Sequence, residues 1–195
     1  MIKKIALASV VAASLASTSV MANEATTGVV VGLYGGYAKP LNGWMKDLKD
    51  QRGGKIGNFA GGGLLGFDFA LNPMFSVGVE ADAQYFHQIV KVDNFKLNLY
   101  TGILFLTGKF YIPETGGLNL FAKAGYALNK LTWKVNKDTI IFPKTLYRPA
   151  AAAGVGYQID NINIFGQFQY NWMKLYGKNS GYGAAFVGAS YTFPM

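Results

Sequence analysis

Five ionisable side chains interrupt segments that otherwise alternate between apolar and small polar residues: Asp68, Glu80, Asp82, Lys109 and Lys123. Acids and amines in such surroundings serve one of two ends. They line a path for protons or ions, or they pair with one another and fix how the segments align. Three carboxylates against two amines are nearly balanced, which favours a self-compensating charge network over a selective path. Nucleophilic catalysis has little to draw on, since a nucleophile needs a base beside it. His87 is the only histidine, no serine stands two positions after it, and there is no cysteine. A lone histidine at the end of a segment reads as interfacial packing. No spacing of metal ligands occurs either. The expectation is therefore no enzyme, no cofactor and no metal.

The elements that must position these five residues follow from period-two alternation between turn residues. Eight segments show it: Gly28–Ala38, Ala60–Ala70, Phe75–His87, Leu97–Ile112, Asn119–Leu128, Ala150–Ile159, Ile162–Trp172 and Gly183–Phe193. Most are close to the ~9–11 residues that a tilted strand needs to cross a bilayer. The connections alternate in length. Leu71 to Met74, Pro113 to Leu118 and Asp160-Asn161 are short; Lys39 to Phe59, Gln88 to Lys96, Asn129 to Pro149 and Met173 to Tyr182 are long. Short turns on one rim and long loops on the other predict an all-β, closed, antiparallel up-and-down transmembrane β-barrel of eight strands.

Composition points the same way. Hydrophobic residues make up 51%, aromatics 15% and charged residues only 14%, with 25 glycines and no segment that reads as a membrane helix. Hydrocarbon admits only helices and closed barrels, because every backbone N–H and C=O must find a partner within the protein. A soluble barrel would hide its apolar face inside and carry Lys and Glu outside. Here the second face is built from Gly, Ser, Asn and Gln, which suits the narrow lumen of an eight-stranded barrel. On that register Asp68, Glu80, Asp82 and Lys123 face the lumen, and Lys109 joins them if Leu106 and Phe110 face lipid. Phe69, Phe75, Tyr157 and Phe193 at one end, and Tyr37, Tyr85 and Trp172 at the other, fit interfacial girdles.

Residues 1–22 read as a secretory signal peptide: Lys3 and Lys4, an uncharged stretch from Ile5 to Val20, then Val20-Met21-Ala22 at the cleavage site. That leaves one domain, 23–195, exported to the outer membrane of a Gram-negative bacterium. The formal charge of +8 is unevenly placed. Lys39, Lys46, Lys49, Arg52, Lys55, Lys91, Lys96, Lys130, Lys134, Lys137, Lys144, Arg148, Lys174 and Lys178 fall in the long connections, against only Asp47, Asp50, Asp93 and Asp138. Such a rim attracts polyanions. At this location these are lipopolysaccharide, held by its phosphates, or a host or environmental polyanion such as a glycosaminoglycan; nucleic acid is not expected. Leu131-Thr132-Trp133-Lys134-Val135 suggests that the fifth strand continues above the membrane, with Ile140 to Pro143 on its return. Trp44 to Asp50 suggests a short helical turn.

Several stretches resemble the outer membrane protein A-like and opacity-like family of eight-stranded barrels: Phe121-Ala122-Lys123-Ala124-Gly125-Tyr126-Ala127, Leu106-Thr107-Gly108-Lys109-Phe110-Tyr111, Gly154 to Ile159 with Ile164 to Tyr170, and Val187 to Phe193. The resemblance covers 27–193. It implies the barrel fold, outer-membrane lipid around it, and recognition by barrel assembly machinery through the terminal strand ending at Phe193, although Pro194-Met195 follow. The function expected is a structural and surface-interaction role with a filled lumen. The alternative is a narrow pore or a small hydrophobic-solute channel, which would need a lumen not blocked by Tyr34, Glu80, Asp82, Lys123, Phe165 and Gln169.

Overall fold

A computed structural model describes residues 24–42, 55–92, 95–135, 138–141, 146–175, 178–179 and 181–195. The signal segment 1–22 and the turn expected over Trp44 to Asp50 lie outside the described residues, as do Phe142 and Pro143.

Eight strands form one closed sheet: β1 Gly28–Pro40, β2 Asn58–Asn72, β3 Phe75–Val92, β4 Phe95–Tyr111, β5 Leu118–Val135, β6 Leu146–Ile159, β7 Ile162–Asn171 and β8 Tyr182–Pro194. Each pairs antiparallel with its neighbours in sequence. β8 closes on β1 from Gly28↔Pro194 to Pro40↔Tyr182, so the wall has no free edge. Pairing runs one residue past the terminal aromatic, and the Met195 N–H donates to the Thr27 carbonyl at 3.1 Å.

The short turns are set by residue chemistry. Asn72 accepts the Met74 N–H through its side chain at 2.9 Å, an Asx turn. Gly116 and Gly117 take φ of 72° and 124°, a backbone open to glycine at no steric cost. Asp160, at φ 51°, turns β6 into β7 in two residues.

The wall is uneven in height. β3, β4 and β5 have 18, 17 and 18 residues, while β7 has 10. The connection expected as a loop over Gln88 to Lys96 is largely sheet, with pairing that continues to Val92↔Phe95. A bulge explains why alternation fails there: the register shifts between Phe86 and Val90, and Gln88 sits at φ 40°. β5 continues to Val135, and the strand Asp138–Ile141 returns along it. The strand Lys55–Ile56 adds to the top of β3.

The apolar face points outward. Leu33, Leu106 and Val187 are 74%, 69% and 66% exposed, whereas Asn119, Asn129 and Gln169 are fully buried. An apolar outer face around an interior that holds the buried polar and charged side chains inverts a soluble barrel and fits hydrocarbon. Tyr37, Phe69, Trp172 and Phe193 are exposed at the two ends of this belt.

Candidate functional site

Alternation along β3 turns Ser76, Glu80, Asp82, Gln84 and Phe86 inward. Asp68 on β2, Lys109 on β4 and Lys123 on β5 face the same interior, with Leu106 and Phe110 exposed on the opposite side of β4. The Lys109 ammonium donates to Asp68 Oδ2, and that of Lys123 to Glu80 Oε1. Each pair reaches over an intervening strand. Lys109 meets Asp68 across β3, where Gly78 stands between Asp68 and Thr107. A side chain on Gly78 would run into the Asp68 carboxylate. Lys123 also lies 5.3 Å from the Phe121 ring centre and 5.8 Å from that of Phe165, within cation–π range.

Asp82 has no cation in ion-pair contact among the described residues. It accepts a hydrogen bond from Tyr34 Oη at 2.8 Å, while its Oδ1 has no partner. Gln84 Nε2 donates to Tyr34 Oη at 2.8 Å, and the Gln84 and Gln169 amides exchange bonds of 2.9 and 3.0 Å. Above this, Thr101 Oγ1 and Tyr182 Oη converge on Asn129 Oδ1 at 3.0 and 3.1 Å. A void of ≈ 10 Å³ lies among Glu80, Lys109, Lys123, Phe121, Phe165 and Asn163, space for about one water.

The upper interior also holds an apolar cluster, which the pattern of small polar residues did not suggest. Phe86, Ile89, Val90, Leu97, Leu99, Leu131 and Met173 are all buried there. Phe86 and Tyr182 meet edge to face, 5.0 Å between ring centres.

At the extracellular end, Lys55, Lys91, Lys96 and Lys134 stand on strands of the tall wall and Lys130 on β5 just below. Lys174 and Lys178 belong to the strands Lys174–Leu175 and Lys178–Asn179, which pair with each other. Lys46, Lys49, Arg52, Lys137 and Lys144 lie outside the described residues. Arg148 requires a correction. It is not on a loop but on β6, opposite the buried Ala127, and is half-buried with Nε unpartnered. Alternation with the buried Ala150 turns it into the barrel mouth rather than onto the rim.

His87 is exposed at the outer face, its Nδ1 3.3 Å from Tyr85 Oη; the Tyr85 and Tyr100 rings are 4.8 Å apart. Sequence reasoning placed Tyr34 and Gln169 in the lumen. It missed their bonds to Asp82 and Gln84, because alternation gives the face of a residue and not its cross-strand partner.

No family model matches the sequence, and no curated protein does. Among solved structures the chain is similar to Neisserial surface protein A (NspA), with a TM-score of 0.62 at 14% identity over 87% of this chain and 100% of that one. It is similar to Ail, the attachment invasion locus protein of Yersinia pestis, in complex with the heparin analogue sucrose octasulfate, with a TM-score of 0.56 at 17% identity over 87% and 99%. The N-terminal β-barrel domain of Pseudomonas aeruginosa OprF gives 0.55 at 13% identity over 87% and 100%. At such identities the likeness establishes the fold: these are eight-stranded outer-membrane barrels, as the resemblance implied.

Proposed function

We propose that this chain, an eight-stranded outer-membrane β-barrel by fold, is a non-enzymatic structural and surface-interaction protein. Its lumen is filled, and its basic extracellular end contacts lipopolysaccharide or host polyanions. Residues 1–22 would be removed on export, and assembly machinery would recognise the strand that ends at Phe193.

The segregation of charge outside the lumen carries this reading. The described acids Glu24, Glu114 and Asp160 stand at the periplasmic end, with only Asp138 at the other. Lys39, Lys55, Lys91, Lys96, Lys130, Lys134, Lys174 and Lys178 all stand at the extracellular end. Lys39 and Lys130 are exposed and outward-facing, and each lies ten residues along its strand from an outward apolar residue near the periplasmic end, Val29 and Leu120. At ~3.3 Å per residue and a tilt near 40°, ten residues rise about 25 Å, the height of an apolar belt. Both ammonium groups therefore lie where the outer-leaflet phosphates begin. The heparin analogue bound to Ail shows that a barrel of this fold can hold a polyanion.

Two measurements test the proposal. The protein in lipopolysaccharide-containing vesicles melts at higher temperature than in phospholipid alone, and Lys39→Gln with Lys130→Gln removes about 1 kcal/mol of that gain per lysine. Equal melting in both vesicles would sink the rim assignment. Second, His87→Ala leaves the mass spectrum of lipid A unchanged, since the His87 ring is engaged by the hydroxyl and ring of Tyr85, not by a nucleophile. A spectral change lost with His87 would make the barrel an enzyme.

A further inference from the structure

The strand register places four lysines in one line. Lys55 is opposite Lys91, Lys91 opposite Lys96, and Lys96 opposite Lys134. They lie far apart in the chain, and only the pairing of the tall wall brings them together. At ~4.8 Å between strands the line is roughly 14 Å long. Lys55 and Lys91 are exposed and Lys96 is half-buried. The neighbouring row, Val90 and Leu97, is fully buried on the inner face. Alternation therefore puts Lys55, Lys91 and Lys96 on the outward face of the sheet.

Like charges directly opposite one another destabilise a sheet. Here three consecutive cross-strand pairs are Lys–Lys, and among the described residues no acid makes an ion pair with Lys55, Lys91 or Lys96. The two ion pairs found there are Lys109–Asp68 and Lys123–Glu80, both inside the barrel. A row of this kind matches an anion with several charges that the membrane itself supplies. Its height says which. Lys134 is four residues above Lys130 on β5, about 10 Å above the edge of the apolar belt. Its direction is sideways, away from the barrel axis, towards the saccharide of whatever lipid stands alongside.

We propose that the row Lys55–Lys91–Lys96, with Lys134 next to it in the backbone register, is a track for the phosphorylated saccharide of a neighbouring lipopolysaccharide molecule, running around the barrel at an incline set by the strand tilt. This rests on the reading of the rim given above and assigns its partner and its residues.

The test uses the full-length barrel in vesicles of phospholipid alone, with lipopolysaccharide, or with lipopolysaccharide stripped of saccharide phosphates. Lys91→Gln with Lys96→Gln is expected to raise the melting temperature in phospholipid, because the repulsion is relieved. It should also weaken lipopolysaccharide binding by roughly ten- to thirtyfold, since each lysine near an anionic surface contributes about one factor of five. Dephosphorylated lipopolysaccharide should bind the wild type and this variant alike. Lys91→Arg with Lys96→Arg should retain binding. Lys55→Gln, on a strand outside the closed wall, should lose a smaller share without touching the barrel.

A variant that keeps full binding, or that merely melts lower in phospholipid, overturns the track. So does an equal loss from Lys174→Gln with Lys178→Gln, which would mean that net charge alone matters. Sensitivity to the row with heparin fragments but not with lipopolysaccharide would make the partner a soluble polyanion and also overturn the proposal. If the wild type binds neither, the function of the rim falls with it; if only the row variants behave as wild type, the rim reading stands.

Discussion

Lys123→Met is expected to lower the stability of the barrel by about 3–5 kcal/mol, and adding Glu80→Gln to restore most of the loss. Both side chains are nearly inaccessible, 4% and 6% exposed, so Glu80 cannot turn to water when its cation is removed. Asp82 lies two residues further along the same inward face of β3, and it makes no ion pair of its own. Removing Lys123 would therefore leave two neighbouring carboxylates facing an interior in which, among the described residues, the one remaining buried amine, Lys109, is committed to Asp68. Replacing both members of the pair removes the charge problem and leaves a smaller packing defect beside Phe121 and Phe165. The measurement is urea-dependent unfolding from vesicles followed by tryptophan fluorescence, read as a double-mutant cycle. Equal losses in the single and double variants would mean that the two charges do not depend on one another.

The contrast between β3 and β7 shows what the sequence makes legible and what it hides. On β7 strict alternation from Ile162 to Asn171 starts from the two-residue turn Asp160-Asn161, so face and neighbour can be read locally. On β3 the same reading stops at His87, because the bulge at Gln88 breaks the alternation while pairing with β4 goes on to Val92. Faces were legible for the charged residues because period two fixes them: Asp68, Glu80, Asp82, Lys109 and Lys123 could be placed relative to their apolar neighbours. Partners were not. Lys109 and Asp68 are separated by 41 positions, and the glycine between them on β3 gives no hint that it is there to let them meet. The lysine row is the extreme case, since it exists only in the register of four strands. Arg148 was misplaced for a related reason: β6 begins at Leu146, and an arginine beside a proline reads as loop until β5 is seen to pair with it.

In a planar bilayer the wild-type protein is expected to pass no discrete ion steps, and Tyr34→Ala combined with Phe86→Ala to produce them. The two residues belong to different obstructions placed in series. Tyr34 closes the lower one, packed 4.9 Å from the Phe186 ring and 6.4 Å from that of Phe165, and bonded to Asp82 and Gln84. Phe86 belongs to the apolar cluster above, against Tyr182. Opening either one leaves the other shut, so each single variant stays silent while losing about 3–5 kcal/mol of stability from the cavity it creates. The sign of selectivity follows from the charges that remain. Asp68 and Glu80 are neutralised by Lys109 and Lys123, whereas Asp82 loses its tyrosine donor and faces the opened passage without a counter-ion, so the steps should favour cations. Anion-selective steps from the double variant would show that Asp82 does not set the field in the lumen. Reproducible steps from the wild type would replace the filled barrel with a pore, and the basic rim would then be the vestibule of a conduction path.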